Sequence, residues 1–266
     1  MTALDRRTVV AALAGAASAP AGAQAPADVV RELAPTGRLR AAINLGNPVL
    51  AGLGPDGEPA GITVDLAREL ARRLSVTIEF VRFDGAGKVT DSAGKNVWDV
   101  AFLAVDPRRA EEISFTAPYV VIEGTYLVRE DSPLRAIDDF DRTGIRIAVG
   151  RGSAYDLFLT RTLKQASLVR AETSEASMQL FSTRGLEAAA GVKQPLVAFA
   201  RATPGYRVIP GRFMVIEQAM GTPQGRPGAS AYLRHFVEEM KASGFVAEAV
   251  ARHNQPDAAV APPASR

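Results

Sequence analysis

The chain of 266 residues has no cysteine. That excludes a disulfide framework, a thiolate metal site and a cysteine nucleophile. Histidine is almost missing as well: His235 and His253 are the two in the sequence, at no spacing that would hold a metal. No metal and no other cofactor is expected. Neither sign of charge dominates, with 31 Lys and Arg against 29 Asp and Glu, so there is no electrostatic footprint for nucleic acid. After the first 25 residues no apolar run approaches the ~20 residues a bilayer span needs. The nucleophile elbow Gly-x-Ser-x-Gly is absent around Gly152-Ser153-Ala154, which removes that route to acyl-transfer chemistry. There is no internal repeat.

What is present begins with an export pattern. Asp5-Arg6-Arg7-Thr8-Val9-Val10 is a basic segment of twin-arginine type, residues 9–19 are apolar, and Ala23-Gln24-Ala25 is a small-x-small cleavage pattern. Residues 1–25 therefore read as a signal peptide, with the remainder periplasmic and exported by the twin-arginine route. A lipid-anchored protein would carry Cys after the cut, whereas here Pro26 follows. Losing Asp5, Arg6 and Arg7 takes the net charge from +2 to +1. About 240 residues remain, enough for one large core or two small ones. Residues 255–266 are rich in Pro and Ala without periodicity, and are predicted to be a disordered tail.

Between these ends, strand and helix patterns alternate. Strands are predicted at 39–43, 76–81, 100–105, 125–129, 145–149, 168–170, 186–192 and 213–220. Ile62, Leu66, Leu70 and Leu74 share one helical face. Further helices fit 154–164, 174–183 and 195–202, with Pro195 suited to a first turn. Leu233, Phe236, Val237 and Met240 mark a last helix, stopped by Gly244. Repeated βα units imply mostly parallel sheets covered by helices, an α/β class.

The segments Gly37-Arg38-Leu39-Arg40 and 55–67, then Trp98-Asp99-Val100, Asp106-Pro107-Arg108-Arg109, 115–119 and Val149-Gly150-Arg151-Gly152-Ser153, together resemble the family 3 extracellular solute-binding proteins. These are amino-acid-type receptors of ABC importers. The likeness runs from about Gly37 to His253. It implies a two-lobed periplasmic-binding-protein-like fold, each lobe a mostly parallel sheet with flanking helices, joined by two crossing strands. Lobe 1 would be 37–122 plus 217–254, lobe 2 would be 123–216, and the crossings would fall near 120–124 and 213–217. It also implies a monomer that binds a small carboxylate-bearing solute (an amino acid, a derivative or an organic acid) and hands it to the membrane subunits of an ABC importer. Periodicity alone leaves one continuous doubly wound sheet open.

The sharpest local signal is Ser153-Ala154-Tyr155-Asp156, which follows a strand and opens a helix. Ser at the cap with an acid three residues on resembles a capping box. The N–H groups of Ala154 and Tyr155 are then free to bind an anion; the plain alternative is a helix cap. In the resembled family this turn holds the ligand carboxylate, and Arg109 matches the arginine that grips it from the first lobe. A guanidinium suits that role because it stays charged and offers a planar fork. Lys193 stands two residues before Pro195, where amino-acid receptors usually place a carboxylate for the ligand ammonium. Asn44 and Asn47 fill a turn that is usually acidic and ring-rich. Phe83 and Lys88 could face the cleft or be a core and a surface residue. Glu217 and Gln218 lie on the returning crossing strand and could reach the ligand or pair across the hinge. These departures point toward an anion with little positive charge.

Two competing functions remain. An enzyme on the same cleft, a lyase or dehydratase acting on a carboxylate substrate, would need a tuned acid or base there. Glu217, Asp84 and Lys193 are the candidates, and the sequence pairs none of them. Gly150-Arg151-Gly152 after a strand, with Glu172 downstream, partly mimics a dinucleotide fingerprint, but Tyr155 replaces its third glycine.

Overall fold

The computed structural model describes residues 25–264. The expected signal peptide, 1–25, therefore lies outside the described residues apart from Ala25. Helix α1 (Ala27–Leu33) precedes strand β1 (Arg38–Asn44). A small hairpin, β2 (Gly52–Leu53) and β3 (Pro59–Ala60), leads into α2 (Ile62–Leu74), β4 (Thr77–Phe83), α3 (Ala86–Asp91) and β5 (Val100–Ala104). One turn of helix, α4 (Pro107–Ala110), redirects the chain into the long strand β6 (Ile113–Arg129). There follow β7 (Arg146–Gly150), α5 (Ala154–Thr162), β8 (Ser167–Ala171), α6 (Ser174–Arg184), β9 (Ala188–Val192), α7 (Lys193–Ala202) and β10 (Tyr206–Val208). The chain returns along β11 (Met214–Pro223) and ends in α8 (Pro227–Ala242), α9 (Phe245–Arg252) and β12 (Ala259–Val260).

The main sheet is hydrogen-bonded in the order β4-β1-β5-β11-β6-β9-β7-β8, with β10 and β12 also on β6. Two parallel trios, β4-β1-β5 and β9-β7-β8, flank an antiparallel pair, β11 and β6. That pair passes from one trio to the other. Met214 registers with Gly124, Ile216 with Ile122 and Glu217 with Val121. β5 is buried along its length, as its unbroken apolar run requires between two neighbours and two faces. α2 buries Ile62, Leu66, Leu70 and Leu74 and ends at Ser75 in the left-handed region, the usual way of closing a last turn.

The core is not one body. The largest apolar cluster draws on the chain before Ile122 and after Ile216, joining α2, α8 and the β1–β5 face. A second cluster, around Tyr126, Phe140, Ile147 and Leu159, draws on the chain between. Val192 and Met214 touch both. One sheet is thus packed into two halves.

Residues 255–266, expected to be disordered, are in part built into this sheet. Ala259 and Val260 pair antiparallel with Val121 and Val120, and the Ala261 N–H donates to the Tyr119 carbonyl at 3.0 Å. Ala258 and Ala261 are buried, and Lys241 Nζ donates to the Pro262 carbonyl at 2.8 Å. A Pro/Ala composition lacks the apolar area to fold alone. Here the exposed edge of β6 supplies backbone partners, and small side chains let the chain lie close against it.

Candidate functional site

The strand ends of both halves converge on a cavity of about 40 Å³. From the first half come Asn44 at the end of β1 and Asn47 in the turn after it, the turn after β4 with Gly85, and Ala104 at the end of β5. From the second come Gly150 at the end of β7, the start of α5, and Ser174 at the start of α6. Ile216 and Gln218 of β11 and Val192 line the back. Ligand crevices at the carboxyl ends of parallel strands follow from this topology, because the βα turns gather there.

Arg109 is the charged centre. Asp106 caps α4, accepting from the Arg108 N–H at 2.9 Å with Pro107 at the first position. This short rigid turn drives Arg109 inward until it is 1% exposed. Its Nη1 donates to the Ala104 carbonyl at 2.9 Å and its Nη2 to the Gly152 carbonyl, across the cleft, at 2.8 Å. Its Nε is buried and has no partner among the described residues. Among the described residues no carboxylate forms an ion pair with it; Asp106 acts on it only at longer range, its own carboxylate meeting Arg161 at 2.7 Å. Burial pushes the guanidinium down to about 10, partly opposed by Asp106, so it is still a cation at neutral pH. A buried, incompletely bonded cation is costly unless an anion joins it.

The opposite wall is backbone. Ser153 caps α5, its Oγ accepting from the Asp156 N–H at 3.1 Å. The reciprocal half of the expected capping box falls one residue earlier: Asp156 Oδ2 accepts from the Gly152 N–H at 2.8 Å, and Oδ1 holds Arg170 at 2.9 Å. Ala154 and Tyr155 stand in the first turn, where an N–H has no intrahelical acceptor. Tyr155 is buried and donates its hydroxyl to Ser174 Oγ at 2.7 Å; burial raises its pKa, so it stays a neutral phenol.

The walls touch at two glycines. Gly152 has φ +66°, and a Cβ on it would lie 2.7 Å from Gly87 Cα. A larger residue at either place would hold the walls apart. Outside this contact the cleft opens into a groove of about 710 Å³. Six basic residues line the groove, Lys88, Arg108, Arg109, Arg151, Arg161 and Arg170, against Asp91, Asp156 and Glu172. Four of these cations are paired: Lys88 with Asp84, Arg151 with Glu172, Arg161 with Asp106 and Arg170 with Asp156.

The structure thus gathers Arg109, Ser153, Ala154, Tyr155, Asn44 and Asn47 around one cavity. It does not bring Lys193, Glu217, Phe83 or Lys88 there. Lys193 opens α7, two residues earlier than predicted, and its Nζ meets Glu123 on β6 at 3.0 Å; Glu123 also takes Arg212, and these two cations lower its pKa. The cavity is lined instead by Val192, the residue before. Glu217 is exposed while its strand neighbours Ile216 and Gln218 are buried. Strand alternation puts Gln218 on the cavity side, a signal readable from the apolar Ile216 two residues earlier. Phe83 packs with Trp98 and Val89 in a satellite core. Lys88 pairs with Asp84 at 2.7 Å on the surface and lines the outer groove alone. Ser174 escaped the sequence reading because nothing local marks where the start of α6 packs.

Comparison with known proteins agrees with this architecture. A stretch of 83 residues is 35% identical to the octopine-binding periplasmic protein of Rhizobium meliloti, covering 30% of this chain and only 28% of that protein. The solute receptor for L-cysteine of Neisseria gonorrhoeae superposes with a TM-score of 0.74 at 19% identity, over 86% of this chain and 94% of that one. An ancestral amino acid-binding protein, a precursor of cyclohexadienyl dehydratase, superposes at 0.71 with 19% identity, over 84% and 97% of the two chains. At such identities the structural likeness speaks for the fold. The sequence profile of the bacterial extracellular solute-binding proteins, family 3, matches residues 39–256, and the chain belongs to that family.

Proposed function

We propose that this protein is the periplasmic receptor of an ABC importer and that it holds a small carboxylate-bearing solute between two closing lobes. The first lobe is 37–122 with 217–254, extended by β12; the second is 123–216. The observation that carries the reading is Arg109: a guanidinium 1% exposed, its Nε without a partner among the described residues, lining the same cavity as the first turn of α5. The solute carboxylate takes the Nε–H from one side and the N–H groups of Ala154 and Tyr155 from the other, where the helix dipole adds to the attraction. Contact with both lobes favours the closed form, because a ligand shifts an equilibrium by its differential affinity for the two states. The protein acts as a monomer and presents its closed form to the importer's membrane subunits. It reaches the periplasm by the twin-arginine route, and N-terminal sequencing of periplasmic material should begin at Pro26.

A thermal-shift screen tests the reading, since a ligand that binds only the native state raises the midpoint. Small carboxylates should raise it and their primary amides should not. Equal shifts from acid and amide would remove the carboxylate from the site. Similarity to the dehydratase precursor keeps an enzymatic cleft in view. Mass detection of turnover over hours with each binding acid separates the two readings, and any stoichiometric excess of product would make the protein a catalyst.

A further inference from the structure

The groups that line the inner cavity are one buried cation, three amides, three hydroxyls and aliphatic carbons: Arg109, then Asn44, Asn47 and Gln218 as the amides, Ser153, Tyr155 and Ser174 as the hydroxyls. Arg151 reaches the rim, where it pairs with Glu172 at 3.3 Å with both side chains exposed. Among the described residues no Asp or Glu lines this cavity. The acids nearby are engaged elsewhere. Asp84 holds Lys88, Glu123 holds Lys193 and Arg212, Asp106 holds Arg161, and Asp156 holds Arg170 and the Gly152 N–H.

Charge balance then decides what fits. A monoanion placed against Arg109 leaves the cavity neutral. A zwitterion leaves an ammonium that has lost its water and meets only dipoles, one uncompensated positive charge in a buried space. Meanwhile Asn47 Oδ1 is buried in this cavity wall with no hydrogen-bond partner among the described residues. It lacks a donor, and a hydroxyl can supply one without bringing charge.

Resting on the carboxylate-cleft reading above, we infer that the cavity selects small carboxylic acids whose second polar group is an uncharged hydroxyl, and that it discriminates against the matching amino acids. The volume of about 40 Å³ has room for about three water-sized groups. Short skeletons therefore fit best, and longer ones need the walls to part.

The test is titration calorimetry on the full mature chain with matched triplets of two to six carbons. Each triplet holds a 2-hydroxy acid, the 2-amino acid of the same skeleton, and the unsubstituted acid. Within the best-binding skeleton the hydroxy acid should bind at least tenfold more tightly than the amino acid. Asn47→Ala should weaken the hydroxy acid at least fivefold more than it weakens the unsubstituted acid. Asn47→Asp, which puts a carboxylate into the cavity, should move the amino-acid to hydroxy-acid ratio at least tenfold toward the amino acid. An amino acid that binds the natural sequence as tightly as its hydroxy partner overturns the inference and leaves the carboxylate cleft standing. Failure of all three members of every triplet, with no response to Arg109→Ala, overturns the cleft reading and the inference with it.

Discussion

The two walls of the cleft do the same job with different parts. The first-half wall works through side chains: Arg109, Asn44 and Asn47, carried at the end of β1 and on the turns that follow β1 and β5. The second-half wall works through backbone, the N-terminus of α5 held in place by Ser153 and Asp156. A side chain can be deleted by one substitution, whereas a backbone donor can only be displaced. The halves should therefore answer mutation very differently, the first through loss of contacts and the second through loss of shape.

Five substitutions break or sharpen that contrast, taken from the largest expected effect down. Arg109→Ala removes the buried cation of the first wall and should cost about 2–5 kcal/mol of binding, roughly 30- to 4,000-fold. Calorimetry with a binding carboxylate reads this directly, and a loss under twofold with the fold intact would falsify the placement. Gly152→Ala acts on the second wall through shape. Its left-handed φ and the contact with Gly87 leave no room for a Cβ, so the walls cannot meet and affinity should drop at least tenfold while circular dichroism is unchanged. Natural affinity in that variant would mean that closure is not required.

Asp106→Asn keeps a good helix cap but breaks the 2.7 Å bond to Arg161, which crosses between the halves. With Arg161 44% exposed, the pair is discounted for solvent, and about 1 kcal/mol, roughly a fivefold loss, is expected. An unchanged Kd would show that this bridge does not hold the walls. Ser153→Ala should cost about 1 kcal/mol of stability as a lost cap, seen in the thermal midpoint. Its effect on affinity should stay below about fivefold, because the N–H donors remain; a loss matching that of Arg109→Ala would make the hydroxyl a primary contact. Lys193→Ala should change affinity less than twofold, since its charge is spent on Glu123. A larger effect would return Lys193 to the site.

Much of the fold was legible because its signals are local. The α2 face and the unbroken run of β5 are set by periodicity and burial within one element. The Ser153 turn was legible for the same reason, as a strand, a cap and a helix start stand side by side in sequence. Arg109 came from the family likeness. What escaped depends on distance. The Lys193 partner is 70 residues away, and nothing near Pro195 reveals it. Of Glu217 and Gln218, which the sequence puts side by side on the crossing strand, the alternation from Ile216 selects Gln218. β12 needed the edge of β6, more than 130 residues earlier, to become a strand at all. Composition describes what a segment can do alone, and these residues act through neighbours that the chain brings in late.

The contact between Arg109 and the Gly152 carbonyl, together with the Asp106–Arg161 bridge, has a consequence in time. Both join protein to protein, so the shut arrangement has stabilisation of its own, and both must break before a solute can pass Gly87 and Gly152. Loading is then paced by how often the walls part. In stopped-flow mixing, the observed rate should rise with solute concentration and level off at the opening frequency, as for a binding-competent minor state. Asp106→Asn should lift that plateau while weakening the complex, giving a receptor that fills faster and holds less well. A rate that climbs linearly to the highest concentration, in both forms, would mean that the cleft stands open often enough for the bridge to set no pace.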